Sequence, residues 1–186
     1  MKKSILFLLI IVSITAAYAA YTPTTIAKLL SKSHLIVFGE IKQVNDEYFL
    51  FRIDSVLKGD STEAVIKVKK FNDWNCAHRF APYEPGQQEV LFLYKLGKIY
   101  LIMGTGDEGE WPFEKSFVYY SIAESNVDKG RKSFHPYGGK IYGYKYAYVE
   151  FKEGVKYLLE KGMDTQKEHS LKNALVRKAF SQLENE

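Results

Sequence analysis

The chain has 186 residues, 46% of them hydrophobic and 26% charged, with a formal net charge of +4. These are globular proportions that exclude disorder over most of the length, and so small a charge leaves no footprint for nucleic acid or an anionic membrane. Cys76 is the only cysteine, which excludes an internal disulfide and leaves stability to packing.

The N-terminus reads as a secretory signal. Met1-Lys2-Lys3 is followed by an apolar stretch over residues 5–12 and then by the small residues Ala16, Ala17, Ala19 and Ala20. Cleavage is predicted after Ala19, with Ala20 as the neighbouring choice. The uncharged run over residues 4–20 is shorter than the ~20 residues of a spanning helix, so no stable membrane insertion is expected after cleavage. No cysteine stands near the cleavage point, so the product is not a lipoprotein. The expected form is a soluble, periplasmic or secreted single domain over residues 20–186, its charge reduced to +2 by the loss of Lys2 and Lys3.

Thr22-Pro23-Thr24-Thr25 then caps a short helix in which Ile26, Leu29 and Leu30 share one face. Leu35-Ile36-Val37-Phe38-Gly39-Glu40-Ile41 reads as a buried strand with a glycine at its bend. After the Asn45-Asp46 turn, Phe49, Phe51 and Ile53 alternate with more polar neighbours until Lys58-Gly59-Asp60 turns the chain. Ile66 and Val68 alternate with Lys67 and Lys69 in a third strand. Residues 71–88 form a long irregular connection containing Trp74, Cys76, His78, Pro82, Pro85 and Gly86, and such connections often carry function. Residues 90–96 and 99–103 pair as a hairpin around Gly97-Lys98. Gly104, Gly106 and Gly109 interrupt the chain before Trp111. A strand is predicted over residues 117–122 and an exposed loop over residues 124–140. Tyr142, Tyr144, Tyr146 and Tyr148 alternate in extended chain, after which Phe151, Val155, Leu158 and Leu159 line one helical face ending at Gly162. Asp164 caps a last helix whose apolar stripe is Leu171, Leu175, Val176, Phe180 and Leu183. The fold class is mainly β with flanking helices. Its short strands and tight turns suit a barrel, which leaves no exposed edges, or a β-sandwich.

Three pieces make residues 35–111 resemble the netrin-module and tissue-inhibitor-of-metalloproteinases superfamily. They are the strand Leu35-Ile36-Val37-Phe38-Gly39-Glu40-Ile41, the Phe-x-Ile-x-x-Val-Leu-Lys-Gly ending of residues 48–59, and Pro85-Gly86 leading into Val90-Leu91-Phe92-Leu93. The resemblance implies an OB-type five-stranded barrel over about residues 34–122, followed by a C-terminal helical extension over about residues 148–184. It does not carry the inhibitors' activity. Those proteins grip a protease zinc with an N-terminal cysteine held by disulfides, whereas this mature chain would start at Ala20 or Tyr21.

Cys76-Ala77-His78 places a thiol and an imidazole together, but a structural zinc site takes four ligands and His34, His135 and His169 lie far away in sequence. Asp107, Glu108 and Glu110 fail the calcium-loop pattern and read as a solvated turn. Gly104-x-Gly106-x-x-Gly109 lacks the strand-to-helix context of a dinucleotide site. With no nucleophile elbow or zinc-protease helix, no catalytic set, metal or cofactor is assigned. The aromatic residues are the better lead: Trp74, Tyr83 and Trp111, with His78, are expected to form a binding face, and Tyr137 lies in a similar loop setting. Tyr144 and Tyr148 are expected instead to cover the barrel and its helix. The leading expectation is an exported, non-enzymatic module that binds a protein or glycan through residues 71–88 and Trp111. The alternatives are a cell-envelope hydrolase with a site between barrel and C-terminal helices, and a structural domain whose helices pair with another copy.

Overall fold

The computed structural model describes residues 24–74, 77–104, 107–121 and 133–161. The signal segment, Cys76 and the last predicted helix lie outside the described residues, and no helix among them is long and apolar enough to cross a membrane.

Helix α1 (Ile26–Lys32) begins where the sequence places it, with the Thr25 hydroxyl accepting the Lys28 N–H at 3.2 Å. Strands β1 (Leu35–Val44), β2 (Tyr48–Lys58) and β3 (Val65–Lys69) follow, then β4 (Gln88–Leu96) and β5 (Ile99–Ile102). Their order is β1-β2-β3-β5-β4, and β4 pairs back onto β1, so the five strands close into an OB-type barrel. The pairing of β3 with β5 is parallel and the others within the barrel are antiparallel. Closure decides between the two architectures left open by the sequence: this is a barrel, not a sandwich.

Strand β1 can serve two neighbours because it is bent, with register shifts at Ile36/Val37, Phe38/Gly39 and Ile41/Gln43. Gly39 is required at the bend. A Cβ there would lie 1.9 Å from the Arg52 carbonyl oxygen and 2.8 Å from the Phe51 ring.

The apolar run in β1 reflects burial on both faces. Leu35 and Val37 point into the barrel with Ile41, Phe49, Phe51, Ile66, Val68, Leu91 and Leu93, while Ile36, Val90 and Phe92 point outward. That outward patch is covered by α1, by α2 (Tyr148–Lys161) and by an extension of the sheet. The barrel itself ends at Ile102. From β4 the sheet continues through β6 (Glu110–Glu114), β7 (Phe117–Ser121), β9 (Ile141–Ala147) and the two-residue β8 (Ser133–Phe134).

Strand β6 was not legible in the sequence, because Pro112 demotes a strand reading and the β6–β7 turn uses Lys115-Ser116 at φ 52° and 71° instead of Asn-Gly. The change of period at Tyr148 is real. Its backbone N–H donates to the Ser116 carbonyl at 3.0 Å, and its ring lies 4.6 Å from Phe38 and 5.5 Å from Phe113. Tyr144 and Tyr148 both pack on this second core, in their expected covering role.

Candidate functional site

The connection from β3 to β4, residues 70–87, closes one end of the barrel. Among its described residues there is no helix, and the backbone bonds it makes to itself are the Trp74–Ala77 exchange of N–H···O=C bonds at 3.0 and 3.1 Å and a turn in which the Gln87 N–H donates to the Glu84 carbonyl at 3.4 Å. Side chains hold it instead, and Arg79 is the centre of that hold.

Glu89 shares the inward face of β4 with Leu91 and Leu93, so a carboxylate terminates an otherwise apolar column. Glu110 pairs in register with Leu91 and lies on the same side. Arg79 enters between them. One of its Nη2 bonds goes to Glu89 Oε1, another to Gln87 Oε1 at 3.1 Å, Nη1 donates to the Ala81 carbonyl, and Nε reaches Glu110 Oε1 at 3.4 Å. The Arg79 side chain is 3% exposed and both carboxylates are 0% exposed. Tyr83 completes the cluster. Its hydroxyl donates to Glu110 Oε2 at 3.0 Å and accepts the Phe71 N–H at 2.8 Å, while its ring stacks on Phe49 at 5.1 Å and lies 3.8 Å from the Arg79 guanidinium carbon.

Among the described residues, Arg79 is thus set against the buried carboxylates of both Glu89 and Glu110. Burial opposes the charge on Arg79, but Glu89 and then Glu110 outweigh it and raise its pKa. For Glu89 burial dominates, pushing its pKa up against the opposing charge of Arg79, and its Oε2 has no hydrogen-bond partner. Arg79 therefore stays charged, and burial shifts Glu89 towards its protonated form. Burial, then the charge on Glu110, pushes the Tyr83 phenol up, so it remains a donor.

The base of the connection has two further supports. Gln87 accepts the Glu84 N–H at 3.2 Å and donates through Nε2 to the Pro82 carbonyl at 2.8 Å. Gly139 passes so close that a Cβ would lie 1.8 Å from the Phe80 carbonyl oxygen, which accepts the Lys140 N–H at 3.1 Å.

The outer part of the connection faces water. Asp73 Oδ1 accepts the Arg79 backbone N–H at 2.9 Å, and its Oδ2 lies 3.6 Å from His78 Nδ1. The His78 and Asp73 side chains are 68% and 53% exposed, and Trp74 is 42% exposed. Below them is an open cleft of about 760 Å³ bordered by Lys70, Phe71, Asn72, Asp73 and residues 79–83.

The expected binding face therefore divides. Trp74 and His78 are presented to solvent, whereas Tyr83 is an anchoring residue. Trp111 is no part of a surface. It is 0% exposed, packed against Phe92, Tyr120 and Phe151 at ring separations of 5.0, 4.7 and 5.3 Å, with its indole N–H donating to the Glu108 carbonyl at 2.6 Å. The reason is β6, whose alternation turns Trp111 onto the helix-covered face beside Val90. The solvated-turn reading of Glu108 and Glu110 fails for the same reason: they are 2% and 1% exposed, and Glu108 accepts the Thr24 N–H at 3.2 Å. Tyr137 is also a fastener, accepting the Gln88 N–H at 2.8 Å and donating to the Phe113 carbonyl at 2.6 Å.

Arg79, Glu89 and Glu110 were not nominated from the sequence. One signal was available, a glutamate at an inward position of an apolar strand. No group of three metal-ligating side chains occurs among the described residues. Neither a protein-family model, nor a curated protein, nor a solved structure matches the chain.

Proposed function

We propose that this chain is an exported, non-enzymatic binding module that recognises its ligand through residues 70–87. The observation that carries this reading is an exposed indole, Trp74, on an irregular segment whose base is clamped by the buried Arg79 cluster. A binding loop loses less entropy on complex formation when its base is already held, and residues 79–87 are held by contacts behind them. Around Trp74 stand the carboxylate of Asp73, the imidazole of His78 and, along the cleft, the amide of Asn72. An aromatic face beside planar polar groups suits a glycan, the ligand class favoured over protein at this site.

The two tryptophans make the test direct, since Trp74 is exposed and Trp111 is sealed. Titration with soluble fragments of envelope polysaccharide is expected to shift tryptophan emission saturably. Calorimetry on Trp74→Ala is expected to show binding weakened at least about tenfold, as loss of a central aromatic anchor implies. Unchanged affinity in that variant would sink the assignment, and turnover of the fragments would replace it with the hydrolase alternative.

A further inference from the structure

The barrel wall opposite the helix-covered patch carries a second surface of different chemistry. Register places Tyr48 and Leu50 of β2, Lys69 and Lys67 of β3, Leu101 of β5 and Tyr94 of β4 side by side on the outer face, with Leu96 one pleat beyond Tyr94. Leu50, Tyr94 and Leu96 are 36%, 41% and 53% exposed, and both lysines are exposed. The lysine column lies between apolar columns. Lys67 Nζ sits 3.9 Å over the Tyr48 ring, and among the described residues neither Lys67 nor Lys69 has a carboxylate partner. Arg52, at the rim, differs in being held by Glu40 and Asp54, each at 2.9 Å. None of the seven face residues is an acid, an amide or an aliphatic alcohol.

We infer that this face docks an acidic amphipathic helix of a partner protein, its apolar residues on Leu50, Tyr94 and Leu96 and its carboxylates on Lys67 and Lys69. Charge complementarity selects the acidic partner: two cations without counter-charge inside an apolar field gain most from carboxylates that are desolvated with them. The absence of amide and carboxylate groups disfavours a sugar, which needs such groups for its hydroxyls. Beside Lys69 the strand edge is occupied by the β3–β5 pairing at Val68–Tyr100 and Lys69–Leu101, so there a partner meets side chains and not a free edge. Four strands spaced about 4.8 Å apart give a face about 14 Å across, the length of roughly ten helical residues. This surface is separate from residues 70–87 and does not depend on their proposed ligand.

The test uses the full chain in the cells that natively express it, with a photo-crosslinking amino acid at position 96. The expected product is a covalent adduct to another protein, mapped by mass spectrometry to a helix with carboxylates on its apolar flank. A Lys67→Glu, Lys69→Glu double variant, shown by its melting curve to be folded, is expected to lose adduct at least about tenfold, since like charges would then meet. Lys67→Arg with Lys69→Arg and, separately, Trp74→Ala are expected to retain it. A synthetic peptide of the captured segment, with its carboxylates replaced by lysines, is expected to bind the double variant and not the wild type. An adduct to a second copy of this chain, to polysaccharide or to a segment without carboxylates would overturn the inference. So would the absence of any adduct, or one indifferent to charge reversal.

Discussion

Residues 70–78 and residues 79–87 are adjacent halves of one connection, and they are stabilised in opposite ways. The first half exposes Asp73, Trp74 and His78 and is tied mainly through backbone and Asp73 contacts. The second half contributes Arg79, Tyr83 and Gln87 to a buried polar cluster. The difference shows how a barrel without a capping helix can present a loop: a charge network supplies the order that secondary structure does not, and the outer half is left available for contact.

Removing the centre of the network should have the largest effect. Arg79→Ala leaves two buried carboxylates without their cation, and denaturant unfolding is expected to show a loss of about 3–5 kcal/mol. A loss under about 1 kcal/mol would mean that the halves are not held differently at all. Tyr83→Phe should come next. It strips partners from Glu110 Oε2 and from the Phe71 N–H, at an expected cost of about 1–3 kcal/mol by the same measurement.

Glu89→Gln sharpens the comparison through pH. Burial raises the folded-state pKa of Glu89 above its ordinary 4.5, so the folded protein holds that proton more tightly than the unfolded chain. The resulting stabilisation is complete below pH 4.5 and is lost as pH rises through the raised value. Glutamine keeps the side chain neutral throughout. Melting temperatures measured across this range are therefore expected to move in favour of Glu89→Gln as pH increases, and a difference that stays flat or moves the other way would place the proton elsewhere. The smallest stability effect belongs to the exposed half. Trp74→Ala is expected to remain within about 0.5 kcal/mol of wild type while losing glycan binding.

Much of the barrel was legible in the sequence because its strands obey local rules. Phe49 and Phe51 alternate toward the interior, Gly97-Lys98 marks the β4–β5 hairpin, and the tyrosine alternation stops where α2 starts. The site was legible only in part. Trp74 and His78 are exposed, as expected, but Trp111 is buried, because β6 forms where the glycines on its N-terminal side suggest a loop. Arg79 and Glu110 gave no local sign of their role, being charged residues in segments expected to be solvated.

What the amino-acid sequence determined by itself is whatever depends on near neighbours: strand and helix periods, the Thr25 cap, the turn at Gly97, the lysine-bearing face of β3. Tertiary structure decided what depends on distant pairings. The return of β4 onto β1 chose barrel over sandwich, and the register of β6 against β4 carried Trp111 into the core and Glu110 to Arg79. A side chain's burial is set by the strand placed beside it, and for β6 that neighbour lies about two dozen residues away along the chain.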